Sequence, residues 1–229
     1  VSGAAFGGTV ALGFLLIPRD AVRYWSGTLF ESQRIGHDAM LANQSLRGAM
    51  ARLAGTEMAP TWAWLLGAAV VAAVGLGVAA LAHRAGHQLL ALTLAGLTMT
   101  MVSPFSWGHH WVWFVPLLVL TVHYAIAARR WYLWLLPALL WAATANWVQS
   151  FPDPNFPDDR WVAMGLFMLG GDIPPVIYTV ITNAYPLTWL AAVGLAALLL
   201  LRAGPDGARL RDYGTADDSS PGAQDSRRG

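Results

Sequence analysis

The sequence predicts an all-α, polytopic membrane protein of about six spans, with amphipathic helices lying in the interface on the extracytoplasmic side. Three observations predict it. Of 229 residues, 56% are hydrophobic and 12% charged, with a mean hydropathy of +0.47, whereas a soluble domain carries about 25% charged residues. Apolar runs recur along the chain at lengths near those needed to cross a bilayer. Between two of them, Leu89–Val102 and Trp111–Ala128, stands the turn Ser103–Trp113, SPFSWGHHWVW. Trp is at home at the headgroup level. Backbone broken by Pro and Gly beside paired His survives at membrane depth only where it is buried in protein or lines a watery cavity. This turn is therefore the expected floor of a site facing the outer side of a membrane.

The elements follow in order. Val1–Ile17 is apolar and Gly-rich and is closed by Pro18. It sits at the short limit for a span and reads as the exit of a helix. No charged region precedes it, so it lacks the pattern of a signal peptide, and the chain reads as the C-terminal part of a longer protein. Arg19–Pro60 is polar. Within it Asp20–Phe30 places Val22, Trp25 and Leu29 on one helical face. His37–Leu53 is expected to be a second amphipathic helix, with Ala42, Leu46, Ala49 and Leu53 as its stripe and Asn43 and Arg47 on another face. Gly55 supplies its stop signal, and such helices lie in the interface plane.

Thr61–Ala82, Leu89–Val102, Trp111–Ala128, Trp131–Trp147 and Pro186–Leu201 are the further expected spans, with Ile177–Ile181 as a re-entrant or interfacial piece. Residues 1–201 form the membrane domain, with an outer loop at 19–60, and residues 202–229 read as a disordered cytoplasmic tail. Arg84, Arg129, Arg130 and the Arg-bearing tail are expected on the cytoplasmic side. That leaves Arg19–Pro60, Ser103–His110 and Gln149–Tyr185 outside.

Chemistry is bounded by residue usage. There is no Cys, so disulfides, thiolate metal sites and cysteine nucleophiles are excluded. All 14 basic residues are Arg and the net charge is +1, which gives no signal for nucleic acid. The outer side gathers Arg34, Asn43, Gln44, Arg47, Trp107, His109 and His110. Arginine and amide side chains suit phosphate and sugar hydroxyls, and a His near a phosphate can stabilise a leaving group. A metal is not expected, because consecutive His residues on a helix point about 100° apart and no carboxylate lies nearby in sequence. The blander readings are an aromatic belt for Trp107, Trp111 and Trp113, and ordinary headgroup contacts for Arg34 and Arg47.

Two phrases carry a family resemblance: RIGHDAMLANQSLRGAMARL and, after an interval, SPFSWGHHWVWFVPLL. Together they resemble the bacterial polyprenyl-phosphate-mannose-dependent α-mannosyltransferases, glycosyltransferase family 87 of the GT-C superfamily, once labelled DUF2029. The resemblance covers about Arg19 to Leu120 in motif. It implies a plasma-membrane enzyme, working outside the cytoplasm without a cofactor. Such an enzyme moves mannose with inversion, an α-1,2 linkage being implied, from a polyprenyl-phosphate-mannose donor to a glycolipid acceptor of the phosphatidylinositol mannoside or lipomannan type among membrane lipids. It places Asn43, Gln44 and Arg47 in an extracytoplasmic motif and His109 or His110 at the donor phosphate; with Arg34 and Trp107 from the residue reading, these are the expected donor-binding and catalytic residues. The general base of that superfamily is an acidic residue of the first outer loop, expected upstream of Val1. The alternatives are a GT-C enzyme using another polyprenyl-linked sugar, such as arabinofuranose, and a lipid-linked sugar transporter or flippase. Broken helices carrying midplane charges would favour the transporter, but polar groups here gather at one face.

Overall fold

A computed structural model describes residues 2–28, 36–151, 160–169 and 172–207. The chain is predominantly helical. Two N-terminal helices, α1 (Ser2–Leu16) and α2 (Pro18–Ser26), precede a short α3 (Leu46–Ala54). Then come α4 (Thr61–Arg84), α5 (Gln88–Val102), α6 (Phe114–Ala128) and α7 (Leu135–Thr144). A hairpin of β1 (Asn146–Phe151) and β2 (Arg160–Gly165) leads to α8 (Pro175–Thr182) and α9 (Ala184–Gly207). Single 3-10 turns occur at Gly108–His110, Trp131–Trp134 and Leu166–Met168.

The core is built where α4, α5, α6 and α9 meet. Val78, Leu94, Leu97, Phe114, Leu117, Trp189 and Val193 are buried together there. Small residues set the spacing. A Cβ on Gly75 of α4 would overlap the Thr98 side chain of α5, and a Cβ on Gly96 would overlap the Trp113 ring. Close backbone approach of this kind is how helices associate when lipid removes the hydrophobic drive between them. Thr98 then accepts a hydrogen bond from the indole N–H of Trp189 at 3.1 Å, so one small–polar contact joins α4, α5 and α9. An aromatic cluster closes the end of the core near the Ser103–Trp113 turn. Trp111 stacks on Phe114 with ring centroids 5.1 Å apart, and Tyr185 meets Trp111, Phe114 and Phe167 edge-on.

Among the described residues two helices are long and apolar enough to cross a membrane, Thr61–Arg84 and Ala184–Arg202, with mean hydropathies of 2.4 and 1.9. Only 22% of the first window is buried, and Leu65, Leu66, Val70 and Val74 are exposed along it, as on a lipid-facing surface. The other apolar helices run 10–17 residues. At 1.5 Å per residue, the 15 residues of α5 or α6 extend about 22 Å, less than the roughly 30 Å of hydrocarbon.

Several expectations are corrected. The helical class stands, but it includes one hairpin that was not expected: β1 and β2 pair antiparallel from Asn146↔Gly165 to Phe151↔Arg160. The β-favouring residues Trp147, Val148 and Phe151 suit a strand, and the expected span Trp131–Trp147 is a 3-10 turn followed by ten helical residues. Ile177–Ile181 falls inside α8. The expected helix His37–Leu53 begins only at Leu46: Ser45 is its N-cap and accepts a hydrogen bond from the Gly48 N–H at 3.2 Å. Residues ahead of that cap turn instead. Gly55 does stop the helix, in the left-handed conformation at φ 65°, which glycine adopts without a Cβ penalty. Nor is the helix a free interfacial one, since Arg47, Gly48, Ala49 and Ala51 are buried. The first residues of the tail expected from 202 belong to α9, which continues to Gly207. Residues 208–229 lie outside the described residues, as do Arg34, Leu29 and the acidic loop positions Asp153, Asp158 and Asp159.

A matched pair of substitutions on α4 tests the packing. Gly75→Ala is expected to lower stability by about 1–3 kcal/mol through overpacking against Thr98. Gly77→Ala, with nothing within 4 Å of the added Cβ, is expected to be neutral or slightly stabilising through helix propensity. Thermal unfolding of the detergent-purified protein reads both.

Candidate active site

The site is organised by Asn43, Gln44 and Ser45, whose side chains are fully buried. Buried polar groups must find partners, and these three find them in distant segments. Asn43 Oδ1 accepts from the Ser106 N–H at 3.1 Å and the Ser45 N–H at 3.3 Å, while its Nδ2 donates to the Asp38 carbonyl at 3.1 Å. Gln44 donates through Nε2 to the carbonyls of Leu41 at 2.7 Å and Thr182 at 2.9 Å, and its Oε1 accepts from the Tyr185 N–H at 3.3 Å. The Gln44 backbone N–H donates to the Ser106 carbonyl at 2.8 Å, and Ser45 Oγ donates to the Pro104 carbonyl at 3.2 Å. This clip fastens the Asp38–Leu41 turn, the Pro104–Ser106 loop and the α8–α9 junction to one another.

Asn43 and Gln44 were expected to bind a donor. The structure turns both inward, each with amide oxygen and nitrogen engaged by protein. Their work is to position the loop that follows Ser106.

Arg47 is corrected in the same way. It is 6% exposed, and its Nε donates to Asp38 Oδ2 at 2.7 Å. Its Nη2 reaches Thr61 Oγ1 at 3.4 Å, and its guanidinium lies 5.3 Å from the Trp64 ring centroid. A buried cation requires a counter-charge, and here the protein supplies it. Asp38, wholly buried, also accepts from the Ala59 N–H at 3.1 Å, so the pair ties the start of the clip to the entry of α4. Sequence reasoning passed over Asp38. The available signal was that it is the one acidic residue within the motif phrase, nine positions before an arginine that the helix buries.

The His pair behaves differently. His109 and His110 are exposed on the 3-10 turn Gly108–His110, with rings 4.5 Å apart in a T-shaped arrangement. The Trp107 backbone N–H donates to His110 Nδ1 at 3.2 Å, and the His110 N–H donates to the Trp107 carbonyl at 2.9 Å. Because Nδ1 accepts, neutral His110 carries its proton on Nε2, which is left as an open donor. Burial, then the neighbouring His109, holds the His110 pKa below its ordinary value. Trp107 is partly buried and leans on Phe105 at 5.1 Å. Gly108 lets the turn pass close to Phe167, whose ring a Cβ would meet at 2.9 Å. Among the described residues there is no cluster of three or more His, Cys, Asp or Glu that could hold a metal ion.

The clip and the turn thus join the two motif phrases. The model of glycosyltransferase family 87 matches residues 1–104. The chain is 38% identical over 113 residues to a polyprenol-phosphate-mannose-dependent alpha-(1-2)-phosphatidylinositol mannoside mannosyltransferase of Mycobacterium tuberculosis, covering 49% of this chain and 26% of the relative. It is 37% identical over 129 residues to the protein of that name in Mycolicibacterium smegmatis, covering 53% and 29%. A polyprenol-phosphate-mannose-dependent alpha-(1-2)-phosphatidylinositol pentamannoside mannosyltransferase of M. smegmatis is 34% identical over 167 residues, covering 67% and 38%. The aligned region therefore spans between about a quarter and two fifths of the length of these relatives. No solved structure matches the chain.

Two measurements check this geometry. Asp38→Ala strands the Arg47 charge in the interior and is expected to cost about 3–5 kcal/mol, read by loss of folded protein on thermal or chemical denaturation. The second follows the His110 pKa. A histidine with a lowered pKa stabilises the folded turn above the unfolded value of about 6.5, and that stabilisation is lost as pH falls from there through the folded value. Protonated Nδ1 cannot accept from Trp107. Amide exchange at Trp107, corrected for the intrinsic rate, is expected to show protection at pH 7 that disappears in acid, and His110→Ala is expected to remove it at every pH.

Proposed function

We propose that the chain forms part of a membrane mannosyltransferase that moves mannose from polyprenol-phosphate-mannose to a phosphatidylinositol mannoside type of acceptor, with α-1,2 linkage. The donor lipid lies between spans and its phosphate faces the Gly108–His110 turn. The His110 Nε2–H donates to the phosphate oxygen as charge builds on it, with His109 beside it and Trp107 as an aromatic wall for the sugar. Arg34 is assigned to the donor phosphate as a counter-charge. The acceptor hydroxyl attacks the anomeric carbon with inversion and gives its proton to a carboxylate base of the whole polypeptide, while the bond to the phosphate oxygen breaks and the polyprenyl phosphate departs as the anion. Asp38 is not available as the base of this reaction, because it is buried against Arg47.

One observation carries the reading. Asn43, in the first motif phrase, bonds directly to Ser106, 63 positions away in the second. The two phrases that resemble the family are therefore one structural unit ending in an exposed imidazole donor. The relatives' names supply the donor and acceptor classes. The distribution of arginine supports an extracytoplasmic turn, six spans in a plasma membrane and a cytoplasmic C-terminus, the shorter helices crossing by tilt or bilayer thinning.

The test is mannose transfer by the whole polypeptide in membranes from a defined lipid donor. A charge-assisted hydrogen bond to the phosphate contributes about 1.5–3 kcal/mol, so His110→Ala is expected to lower turnover about ten- to a hundredfold. If both His109→Ala and His110→Ala keep the parental rate, the role given to this turn is wrong.

A further inference from the structure

A cleft of about 510 Å³ opens between the C-terminal half of α3, the turn that follows it and α8. Its charged wall is Arg52. The guanidinium donates through Nε and Nη2 to Asn183 Oδ1 at 3.2 and 2.9 Å, and through Nη1 to the carbonyls of Met40 at 3.0 Å and Asn43 at 2.8 Å. Every one of these acceptors is neutral. Among the described residues, the ion pairs within 4.0 Å are His37–Glu57 and Arg47–Asp38, so no carboxylate neutralises Arg52. Burial lowers its pKa to about 10, which leaves it fully charged at neutral pH. Of its five N–H groups, the four donations above leave one on Nη2. A partly buried, fixed and uncompensated guanidinium at a cleft wall suits a singly charged oxyanion.

The rest of the lining narrows the ligand. Thr56, Tyr178 and Thr179 also line the cleft; the Thr56 and Thr179 hydroxyls donate to the Met58 and Pro175 carbonyls, which leaves their oxygens able to accept from the hydroxyls of a six-membered ring. Glu57 also lines it but is 79% exposed and faces His37 at 3.5 Å. Beside the cleft, α8 exposes Val176, Ile177 and Val180, an apolar track of the kind a lipid chain follows. Arg52 is held by the carbonyl of Asn43, the residue whose side chain carries the Ser106 loop, so the cleft and the His turn share one clip.

We propose that this cleft is a second lipid-headgroup site, in which Arg52 binds the phosphodiester of a sugar- or cyclitol-bearing lipid. Its use for catalysis rests on the mannosyltransferase reading; its ligand chemistry does not. Arg52 is a binding residue here, separate from the imidazole donor at His110. The two sources of such a headgroup in that reaction are the acceptor, with a phosphate-linked inositol, and the donor, with a phosphate-linked mannose.

Calorimetry on the whole detergent-purified protein separates them. The probes are glycerophosphoinositol and a short-chain isoprenyl-phosphate-mannose, with free inositol and free mannose as phosphate-less controls. At least one phosphodiester is expected to bind, the controls not. Arg52→Gln is expected to weaken it about ten- to a hundredfold. Since Arg52 also staples the clip, Thr179→Trp gives an independent arm. It is exposed on α8, fills the cleft and leaves the Arg52 bonds in place, and it is expected to weaken the same probe to a similar degree. Loss confined to glycerophosphoinositol assigns the cleft to the acceptor, and loss confined to the isoprenyl-phosphate-mannose assigns it to the donor. The proposal is overturned if neither phosphodiester binds, if the controls bind equally, or if Thr179→Trp binds both probes as the parent does. Binding without any mannose transfer would sink the enzymatic reading and leave the cleft assignment standing.

Discussion

Everything near the site depends on the burial of three consecutive polar side chains, Asn43, Gln44 and Ser45. An amide out of contact with water is tolerated only when its hydrogen bonds are replaced. Here the replacements come from Asp38, Leu41, Pro104, Ser106, Thr182 and Tyr185. Asp38, Leu41, Pro104 and Ser106 lie in loops, and Thr182 and Tyr185 at the abutting ends of α8 and α9, so the clip satisfies loop and helix-end backbone and fixes loop position at once. Such a network is of high consequence, because losing one member leaves others unsatisfied in a low dielectric.

The Asp38–Arg47 pair extends the same logic to charge. Its geometry at 2.7 Å offsets a desolvation cost that neither partner could sustain alone. The pair holds the turn leading into the clip against Thr61 and Ala59, so that α3 is anchored beside the start of α4. The two arginines of α3 consequently divide their roles. Arg47 is neutralised by protein and is structural, whereas Arg52, five positions on, meets only neutral oxygens and keeps its charge for an anion. Burial alone does not separate them; the chemistry of the partners does.

The His turn is the exposed end of this assembly. Its backbone is set by the Ser106 anchorage on one side and by the Trp111–Phe114–Tyr185 cluster on the other. Between these, Trp107 fixes the His110 tautomer through a single main-chain bond. A hydrogen-bond donor is thereby aimed by rigid surroundings although the imidazole itself is exposed, which is the arrangement a phosphate-stabilising group requires.

Composition and periodicity determined the helical, apolar character of the chain, the positions of α4, α5, α6 and α9, the broken turn at Ser103–Trp113 and the stop at Gly55. Each follows from local chemistry: apolar run length, Pro and Gly, and the freedom of glycine at positive φ. The pairing of the two motif phrases was legible too, through resemblance. The direction in which their side chains point was not. Helical spacing assigned Asn43 and Arg47 to a polar, ligand-facing surface, yet the helix starts only at Leu46, so the residues before it follow turn geometry and face the interior. Asp38 and Arg52 went unnoticed because a buried counter-charge, or the lack of one, is a property of contacts between segments far apart in the chain. The hairpin Asn146–Gly165 escaped for a similar reason: a strand is completed by its partner, and apolar residues alone do not say whether that partner is lipid, a helix or another strand. Only tertiary structure decides which polar groups satisfy one another and which remain for a ligand.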